Sequence, residues 1–286
     1  MNFSCIDISF EAISFFEKEK YDSFETANAV LKEKTGIVNF FEKENDFVLL
    51  QQMLEINQNM VAENRVEYGD FQTNKQLAKS VCNYLKNKNL NPKILIEPTC
   101  GKGSFIISAI QTFDSLQQIF GIEIQEKYLW HLKFELLEYF LNNPTANKPQ
   151  INLHHCSVFD FDFKQVKNQI NNRELLVIGN PPWVTNSTLS TLNSKNLPTK
   201  SNFKNAKGID AITGKGNFDI GEFISLKMLD LFSKENGNFA FLIKNSVIKN
   251  IVFEQKKNKY SISDIEKHTI NPRCRAIASR GNVVEK

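Results

Sequence analysis

Short apolar runs alternate with amphipathic stretches along most of the chain. The apolar runs have the length of buried strands and cover residues 93–98, 119–124, 151–154, 174–179 and 239–243. Helical spacing of apolar residues occurs between them at 104–116, 126–141 and 219–232, and ahead of them at 75–85. Strands that alternate with helices predict a parallel, doubly wound α/β sheet with helices on both faces.

The first 60 residues have a different pattern. Their apolar residues, such as Phe10, Ile13 and Phe16, recur at helical spacing with charged residues between them. This head contains eleven acidic residues and five lysines, a net of −6, whereas the whole chain carries +3. The pattern predicts a small helical N-terminal appendage at 1–60, a main domain at 61–270 and an irregular tail at 271–286, the last a product of truncation or frame change. The basic remainder suits a polyanionic partner.

Composition narrows the class of protein. Fractions of 41% hydrophobic and 23% charged residues are typical of a globular protein, and no stretch approaches the roughly 18 apolar residues that span a bilayer. The first residues lack the basic start of a signal peptide, so we expect a cytoplasmic protein without membrane contact. Five scattered cysteines and four histidines have no metal-ligand spacing, so we expect neither a metal site nor a disulfide framework.

A glycine-rich turn follows the first predicted strand. Residues 97–105 have the sequence EPTCGKGSF, in which Gly101 and Gly103 let a ligand approach the backbone at the start of a helix. The turn lacks the dinucleotide and P-loop patterns, so a phosphate cradle is not expected. Glu123 ends the second predicted strand 26 residues after Glu97, where a carboxylate can accept both hydroxyls of a ribose. The alternatives are an ordinary glycine turn and a solvated strand-end charge.

The most specific motif is Asn180-Pro181-Pro182-Trp183, directly after the fourth predicted strand. The two prolines fix the backbone and remove two N–H donors, which leaves the carbonyls of the turn as acceptors. Asn180 Oδ1 and the Pro181 carbonyl can accept the two hydrogens of an exocyclic amino group, while Trp183 stacks on the planar ring that carries it. The alternative is a proline-containing loop with a packed tryptophan.

Together these motifs resemble those of S-adenosylmethionine-dependent N6-adenine DNA methyltransferases, over about residues 66–270. The segment at 68–74 (YGDFQTN) is similar to the cofactor-binding segment that the gamma subgroup, found in many restriction-modification systems, places ahead of the glycine turn. The resemblance implies a Rossmann-like class I methyltransferase sheet and S-adenosyl-L-methionine as cofactor. As partners it implies DNA and a separate recognition domain, a restriction subunit or a missing C-terminal segment.

The resemblance also implies roles for individual residues. The cofactor would be held by Thr73, Glu97, Pro98, Gly101, Gly103, Glu123, Ile124, Ser157 and Asn180. Glu123 would bind the ribose hydroxyls and Ile124 would pack on the adenine of the cofactor. Ser157 stands where the family usually has an aspartate. The catalytic residues would be Asn180, Pro181, Pro182 and Trp183.

A polar stretch at 186–217 follows the catalytic motif and is long for a loop within a compact domain. We expect its lysines to contact the phosphates beside a flipped nucleotide, which gives affinity but no sequence readout. They are Lys195, Lys200, Lys204, Lys207 and Lys215.

The sequence thus predicts a site-specific enzyme that methylates the N6 amino group of a flipped adenine in DNA. Two alternatives stay open: an RNA-adenine or protein-glutamine methyltransferase of the same fold, and a non-catalytic nucleic-acid-binding remnant. Residues 261–270 can supply the penultimate strand of this fold, but 271–286 contain no alternating apolar run. We therefore expect an unpaired edge on the strand at 239–243, and low sequence selectivity because no recognition domain follows.

Overall fold

The computed structural model describes residues 6, 8–18, 21–56, 72–183, 219–258, 260, 262–271 and 274–281. These residues contain nine helices: α1 (Phe10–Lys18), α2 (Phe24–Thr35), α3 (Glu44–Ile56), α4 (Lys75–Asn87), α5 (Ser104–Thr112), α6 (Glu126–Asn142), α7 (Lys164–Ile170), α8 (Ile220–Phe232) and α9 (Asn245–Asn258). They also contain seven strands: β1 (Ile94–Glu97), β2 (Gln118–Glu123), β3 (Gln150–His155), β4 (Leu175–Gly179), β5 (Gly237–Ile243), β6 (Ile262–Asn271) and β7 (Cys274–Gly281).

All seven strands form one sheet in the order β3-β2-β1-β4-β5-β7-β6. Strands β1 to β5 are parallel, and β7 lies antiparallel between β5 and β6. Alternate residues of a strand face opposite sides: Leu95 belongs to the core shared with α1 to α6, whereas Ile94 and Ile96 belong to the core shared with α7 to α9. The predicted doubly wound sheet with helices on both faces, in a Rossmann-like arrangement, is confirmed.

Helices α1 and α2 pack on α6, together with the segment between α2 and α3. Aromatic rings make this contact, with Phe40 lying 5.7 Å from Phe134 and 6.0 Å from Trp130 between ring centroids. The ammonium group of buried Lys133 lies 4.5 Å from the centre of the Trp130 ring and 3.8 Å from Glu42 Oε1. The head is helical, as the spacing predicts, and its side chains share a core with the sheet. A domain boundary at residue 60 stays a prediction.

Backbone from the head also reaches the edge of the sheet. Val38 N–H donates to the Ile151 carbonyl (2.9 Å), and Ile151 N–H donates to the Gly36 carbonyl (2.8 Å). Ile37 therefore forms a parallel bridge with Ile151 of β3. Gly36 has a φ of +76°, and a Cβ there would lie 2.1 Å from the Pro149 carbonyl oxygen, so glycine is required at this crossing.

The end of the chain differs from the prediction. Residues 271–286 are not an irregular tail throughout, because Cys274–Gly281 forms β7 and pairs with β5 from Asn238↔Arg280 to Ile243↔Arg275. The expected unpaired edge on β5 is therefore wrong. The sequence CRAIASRG carries only one large apolar residue, so it lacks the alternating signal, but a strand placed between two others is held by backbone hydrogen bonds on both sides. The penultimate strand expected at 261–270 is confirmed as β6.

Helix length and polarity bear on membrane insertion. None of the helices among the described residues is long and apolar enough to cross a bilayer.

Candidate active site

The carboxyl ends of β1, β2, β4 and β5 meet at one edge of the sheet, where parallel folds bind ligands. The glycine turn after β1 passes through two left-handed residues, Gly101 (φ +53°) and Gly103 (φ +78°). A Cβ on Gly103 would lie 2.1 Å from Leu132 Cδ1. The backbone thus approaches α6 so closely that a residue with a side chain would clash at this position. The two predicted glycines thus shape the floor of the cleft.

Glu123, at the end of β2, is tied to the same turn. Its Oε2 accepts a hydrogen bond from Gly101 N–H (2.9 Å), and its Oε1 accepts one from Gln125 N–H (2.8 Å). The side chain is 8% exposed. Two backbone donors therefore fix the position of the Glu123 carboxylate at the end of β2.

Glu97 lies beside it and is buried. Burial raises the pKa of the Glu97 carboxyl well above its usual range; a hydrogen bond from Ile106 N–H, in the first turn of α5, opposes the rise, and the Glu123 carboxylate adds to it. Glu97 Oε2 is buried and accepts no hydrogen bond from the described residues. An unpaired carboxylate oxygen in this position is costly unless a ligand donates to it.

The segment ahead of α4 docks onto the glycine turn. Lys102 N–H donates to Gln72 Oε1 (3.0 Å), and Ser104 Oγ donates to the Thr73 carbonyl (2.7 Å). Asn74 caps α4 through Gln76 N–H (2.8 Å). Thr73 is thus held beside the glycine turn through its backbone carbonyl, and its role in cofactor binding stays a prediction. The preceding residues of the predicted segment, 68–71, lie outside the described part of the chain.

Asn180 links this segment to the turn after β4. Its Nδ2 donates to Thr73 Oγ1 (3.2 Å), which leaves Oδ1 as the acceptor end of the amide. Asn180 Oδ1 is buried and has no hydrogen-bond partner among the described residues. The amide oxygen is therefore unpaired among the described residues, and its role as acceptor for a substrate stays a prediction.

Trp183 is held at two points at the end of β5. The indole Nε1–H donates to the Leu242 carbonyl (3.2 Å), and the Trp183 carbonyl accepts from Lys244 Nζ (3.1 Å). Pro181 is buried, whereas Pro182 and Trp183 are half-buried. The ring is thus anchored by its polar edge and keeps exposed surface for stacking.

Ile124 and Ser157 lie on neighbouring strand ends. Ile124 is 36% exposed, unusual for a large apolar residue of this fold, and its carbonyl lies 3.0 Å from His155 Nε2. Ser157 Oγ accepts from Phe159 N–H (3.2 Å) and shapes the turn after β3. That turn is also held by Lys227 Nζ, which donates to the Val158 carbonyl (2.7 Å), and burial lowers the pKa of Lys227 to about 8.

Pro98 completes the predicted set, since a Cβ on Gly179 would lie 3.7 Å from its Cδ, so the ends of β1 and β4 touch there. Most of the predicted residues therefore lie at the carboxyl ends of the parallel strands, while the five predicted phosphate-contacting lysines lie outside the described residues. Sequence reasoning missed Gln72, Asp219, Lys244 and Asn245. Asn245 Oδ1, on the first residue of α9, is buried and unpaired among the described residues, but a lone asparagine after an apolar strand gives no signal of this.

The chemistry of the cleft fits the cofactor that the resemblance implies. A nucleoside bearing a positive sulfonium offers ribose hydroxyls, an amino group and a flat base. The cleft offers the Glu123 carboxylate, the unpaired Glu97 Oε2 and the exposed Ile124 side chain. Over the described ranges, no three histidine, cysteine, aspartate or glutamate side chains group as metal ligands.

A family model described as N-6 DNA Methylase matches residues 45–270. Among curated proteins, the chain is 42% identical over 201 residues to the type II methyltransferase M.NspV from Nostoc sp., and 25% identical over 178 residues to the type II methyltransferase M.VspI from Vibrio sp.. These matches cover 69% and 62% of this chain, but the chain spans only 40% and 37% of those two relatives.

The solved structures include the type IIG restriction endonuclease BpuSI. Its match covers 95% of this chain and 36% of that protein, with a TM-score of 0.56 and 12% sequence identity. At that identity the likeness concerns the fold alone.

Proposed function

The chain belongs to the N-6 DNA methylase family, and on this premise we propose that it transfers a methyl group from S-adenosyl-L-methionine to the N6 amino group of adenine in DNA, as part of a restriction-modification system. The observation that carries the proposal is the buried, unpaired Asn180 Oδ1, whose amide nitrogen is already committed to Thr73. The remaining amide oxygen is suited to accept a hydrogen bond from a substrate amino group.

In this proposal the cofactor supplies an electrophilic methyl group on a sulfonium. Glu123 binds the ribose hydroxyls, Ile124 packs on the base of the cofactor, and Ser157 closes the same end. Glu97, Pro98, the two glycines of the turn and Thr73 surround the methionine end. The unpaired Glu97 Oε2 supports a ligand donor at that end, since the oxygen would otherwise lose its hydrogen bonds to water without replacement.

The exocyclic nitrogen of adenine is a poor nucleophile because its lone pair is delocalised into the ring. Asn180 Oδ1 and the Pro181 carbonyl accept its two hydrogens and favour a tetrahedral nitrogen whose lone pair points out of the ring. Such preorganised acceptors lower the barrier by positioning and by fixed dipoles. The target base must leave the duplex to reach them, and Trp183 replaces part of its lost stacking.

A labelled-methyl experiment tests the proposal. The chain is incubated with radiolabelled S-adenosylmethionine and, separately, with unmethylated double-stranded DNA, RNA and a protein extract. We expect label in DNA, recovered as N6-methyladenine after hydrolysis. Label in RNA or protein would favour a different enzyme of the same fold, and cofactor binding without any transfer would favour the non-catalytic alternative. The distribution of label along the DNA measures sequence selectivity.

Asn180→Ala is the matching variant. We expect it to abolish transfer while leaving cofactor affinity nearly unchanged, because the predicted contact of Oδ1 is with the target base. Asn143→Ala is the control, since Asn143 is exposed at the C-terminal end of α6 and its side chain bonds only the Tyr139 carbonyl among the contacts described. Turnover near the wild-type rate in a folded Asn180→Ala protein would contradict the acceptor mechanism.

A further inference from the structure

Lys244 is the first residue after β5, and it joins two distant parts of the chain. Its ammonium group donates to the Trp183 carbonyl (3.1 Å) and to Asp219 Oδ2 (2.7 Å). The Lys244 side chain is 34% exposed and that of Asp219 is 15% exposed, so the pair is partly shielded from water. The Lys244 side chain therefore contacts both Trp183 and Asp219, which are far apart in the sequence.

Asp219 is itself fixed in place. It is the N-cap of α8, and its Oδ1 accepts from Gly221 N–H (2.9 Å) and Glu222 N–H (3.4 Å). A capping carboxylate is held by the helix end and by the positive end of the helix dipole. Lys244 thus bonds an acceptor whose position is already set, which reduces the entropy lost when the ion pair forms.

The other acceptor belongs to the turn that the proposed chemistry uses. The N-terminus of α8 packs against this turn, because a Cβ on Gly221 would lie 3.4 Å from the Pro182 carbonyl oxygen and 3.5 Å from Pro181 Cγ. The Trp183 ring is bonded separately to Leu242 of β5. Both the backbone and the ring of Trp183 are therefore hydrogen-bonded to the end of β5. The backbone carbonyl accepts from Lys244, and the ring donates to Leu242.

We propose that Lys244, together with Asp219, is a positioning residue for the methyl-transfer site: it fixes the backbone of the Asn180–Trp183 turn and thereby the plane of the Trp183 ring. This inference rests on the proposed function for its effect on turnover. The sequence places 35 residues between Trp183 and Asp219. Lys244 contacts both of these residues, and bringing together two positions so far apart in the chain is entropically unfavourable without such contacts.

Lys244→Met keeps the length of the side chain and removes both hydrogen bonds. We expect turnover at saturating DNA to fall at least tenfold, while the dissociation constant of S-adenosylmethionine stays within twofold, since Glu97 and Glu123 lie on other strands. Lys244→Arg should recover part of the loss, because a guanidinium can donate to a carboxylate and a carbonyl together. Lys249→Met, at an exposed position of α9, is the control and should match wild type.

A second measurement reports on the ring without any catalysis. The chain has two tryptophans, so Trp130→Phe leaves Trp183 as the only one. We expect the fluorescence anisotropy of Trp183 to fall when Lys244→Met is added to that variant, and to be unchanged by Lys249→Met. A merely structural role for Lys244 would instead lower stability and cofactor affinity together.

Asp219→Asn is the second variant, because asparagine still caps a helix but removes the charge. It should lower turnover and anisotropy in the same direction as Lys244→Met, and less than additively in the double variant. Unchanged turnover and anisotropy in folded Lys244→Met or, if that variant does not fold, in Asp219→Asn would overturn the inference. A wild-type chain that methylates nothing would overturn the proposed function instead, while the anisotropy comparison would still test the positioning of Trp183.

Discussion

Both carboxylate oxygens of Glu123 accept a hydrogen bond from a backbone N–H, one from Gly101 in the glycine turn and one from Gln125 at the start of α6. The residue therefore has two tasks, to shape the glycine turn and to bind the ribose hydroxyls in the proposed complex. Substitution with glutamine and with alanine separates them, because glutamine keeps one acceptor oxygen whereas alanine keeps none.

We expect Glu123→Ala to weaken S-adenosylmethionine binding by about 1.5–3 kcal/mol, the range for a lost hydrogen bond to a charged group. Glu123→Gln should lie between alanine and wild type. Titration calorimetry measures the affinities, with Glu25→Ala, an exposed residue of α2, as control. A folded Glu123→Ala protein that binds as tightly as wild type would remove Glu123 from the cofactor site.

Glu97 gives a prediction about pH. Its pKa in the folded protein is raised above the ordinary value of 4.5, so between these two values the folded state binds more protons than the unfolded state. The free energy of unfolding therefore contains a Glu97 contribution that declines as pH rises from about 4.5 through the folded pKa.

Glu97→Gln removes this titration and keeps an acceptor for Ile106 N–H. In the cofactor-free protein, we expect its melting temperature to exceed that of wild type by a margin that grows as the pH rises above about 4.5, while cofactor affinity falls. Asn143→Ala, an exposed change at the end of α6 that involves no titrating group, should leave the pH dependence of melting as it is in wild type. If the difference in melting temperature between Glu97→Gln and wild type stayed constant with pH, Glu97 would not be the cause of the pH dependence.

At the scale of elements, the apolar runs locate β1 to β5 to within a few residues, because buried parallel strands are apolar on both faces. The strand β7 has no such run, because Ala276, Ala278 and Ser279 are too small to produce a pattern. The pattern also does not predict the helices α7 (KQVKNQI) and α9 (NSVIKNIVFEQKKN), because the first is short and the second is rich in polar residues. The candidate site follows a similar rule: motif residues such as Asn180 are recognisable locally, whereas Asp219 and Lys244 acquire their partners only through tertiary contact.

Gly36 offers a test of the bridge between the head and β3. Gly36→Ala should lower the free energy of unfolding by at least about 1–3 kcal/mol, because alanine is strained at a φ of +76° and its Cβ meets the Pro149 carbonyl. Gly179→Ala is the matched control, since a Cβ there makes only ordinary contacts at 3.7 Å. Urea unfolding gives both values, and equal losses would mean that the bridge adds no constraint.

At the scale of the whole molecule, the head helices and the sheet share one core: it contains Phe40 and Trp130 together with Leu95 of β1 and Leu176 of β4. A shared core predicts that the two parts unfold together. We therefore expect the helical head to unfold with the sheet, even though the sequence pattern separates the head from the rest of the chain at residue 60.

The two tryptophans report on different parts, since Trp130 is 2% exposed beneath the head and Trp183 lies at the cleft. In Trp183→Phe and Trp130→Phe, we expect the fluorescence transition of the remaining tryptophan to coincide with the loss of far-ultraviolet circular dichroism in urea. A Trp130 transition at clearly lower urea than the loss of circular dichroism would identify the head as an independent unit.

The position of β7 has a consequence for folding during synthesis. The ribosome makes β5 and β6 before β7, yet β7 lies between them in the sheet. Neither β5 nor β6 can therefore pair with β7 until residues 274–281 emerge. Only two residues separate β6 from β7 along the chain, which favours early formation of a local hairpin that then docks on β5. Until that docking, the edge of β5 is open to pairing with other nascent chains, and the rate at which the hairpin docks sets how long this exposure lasts.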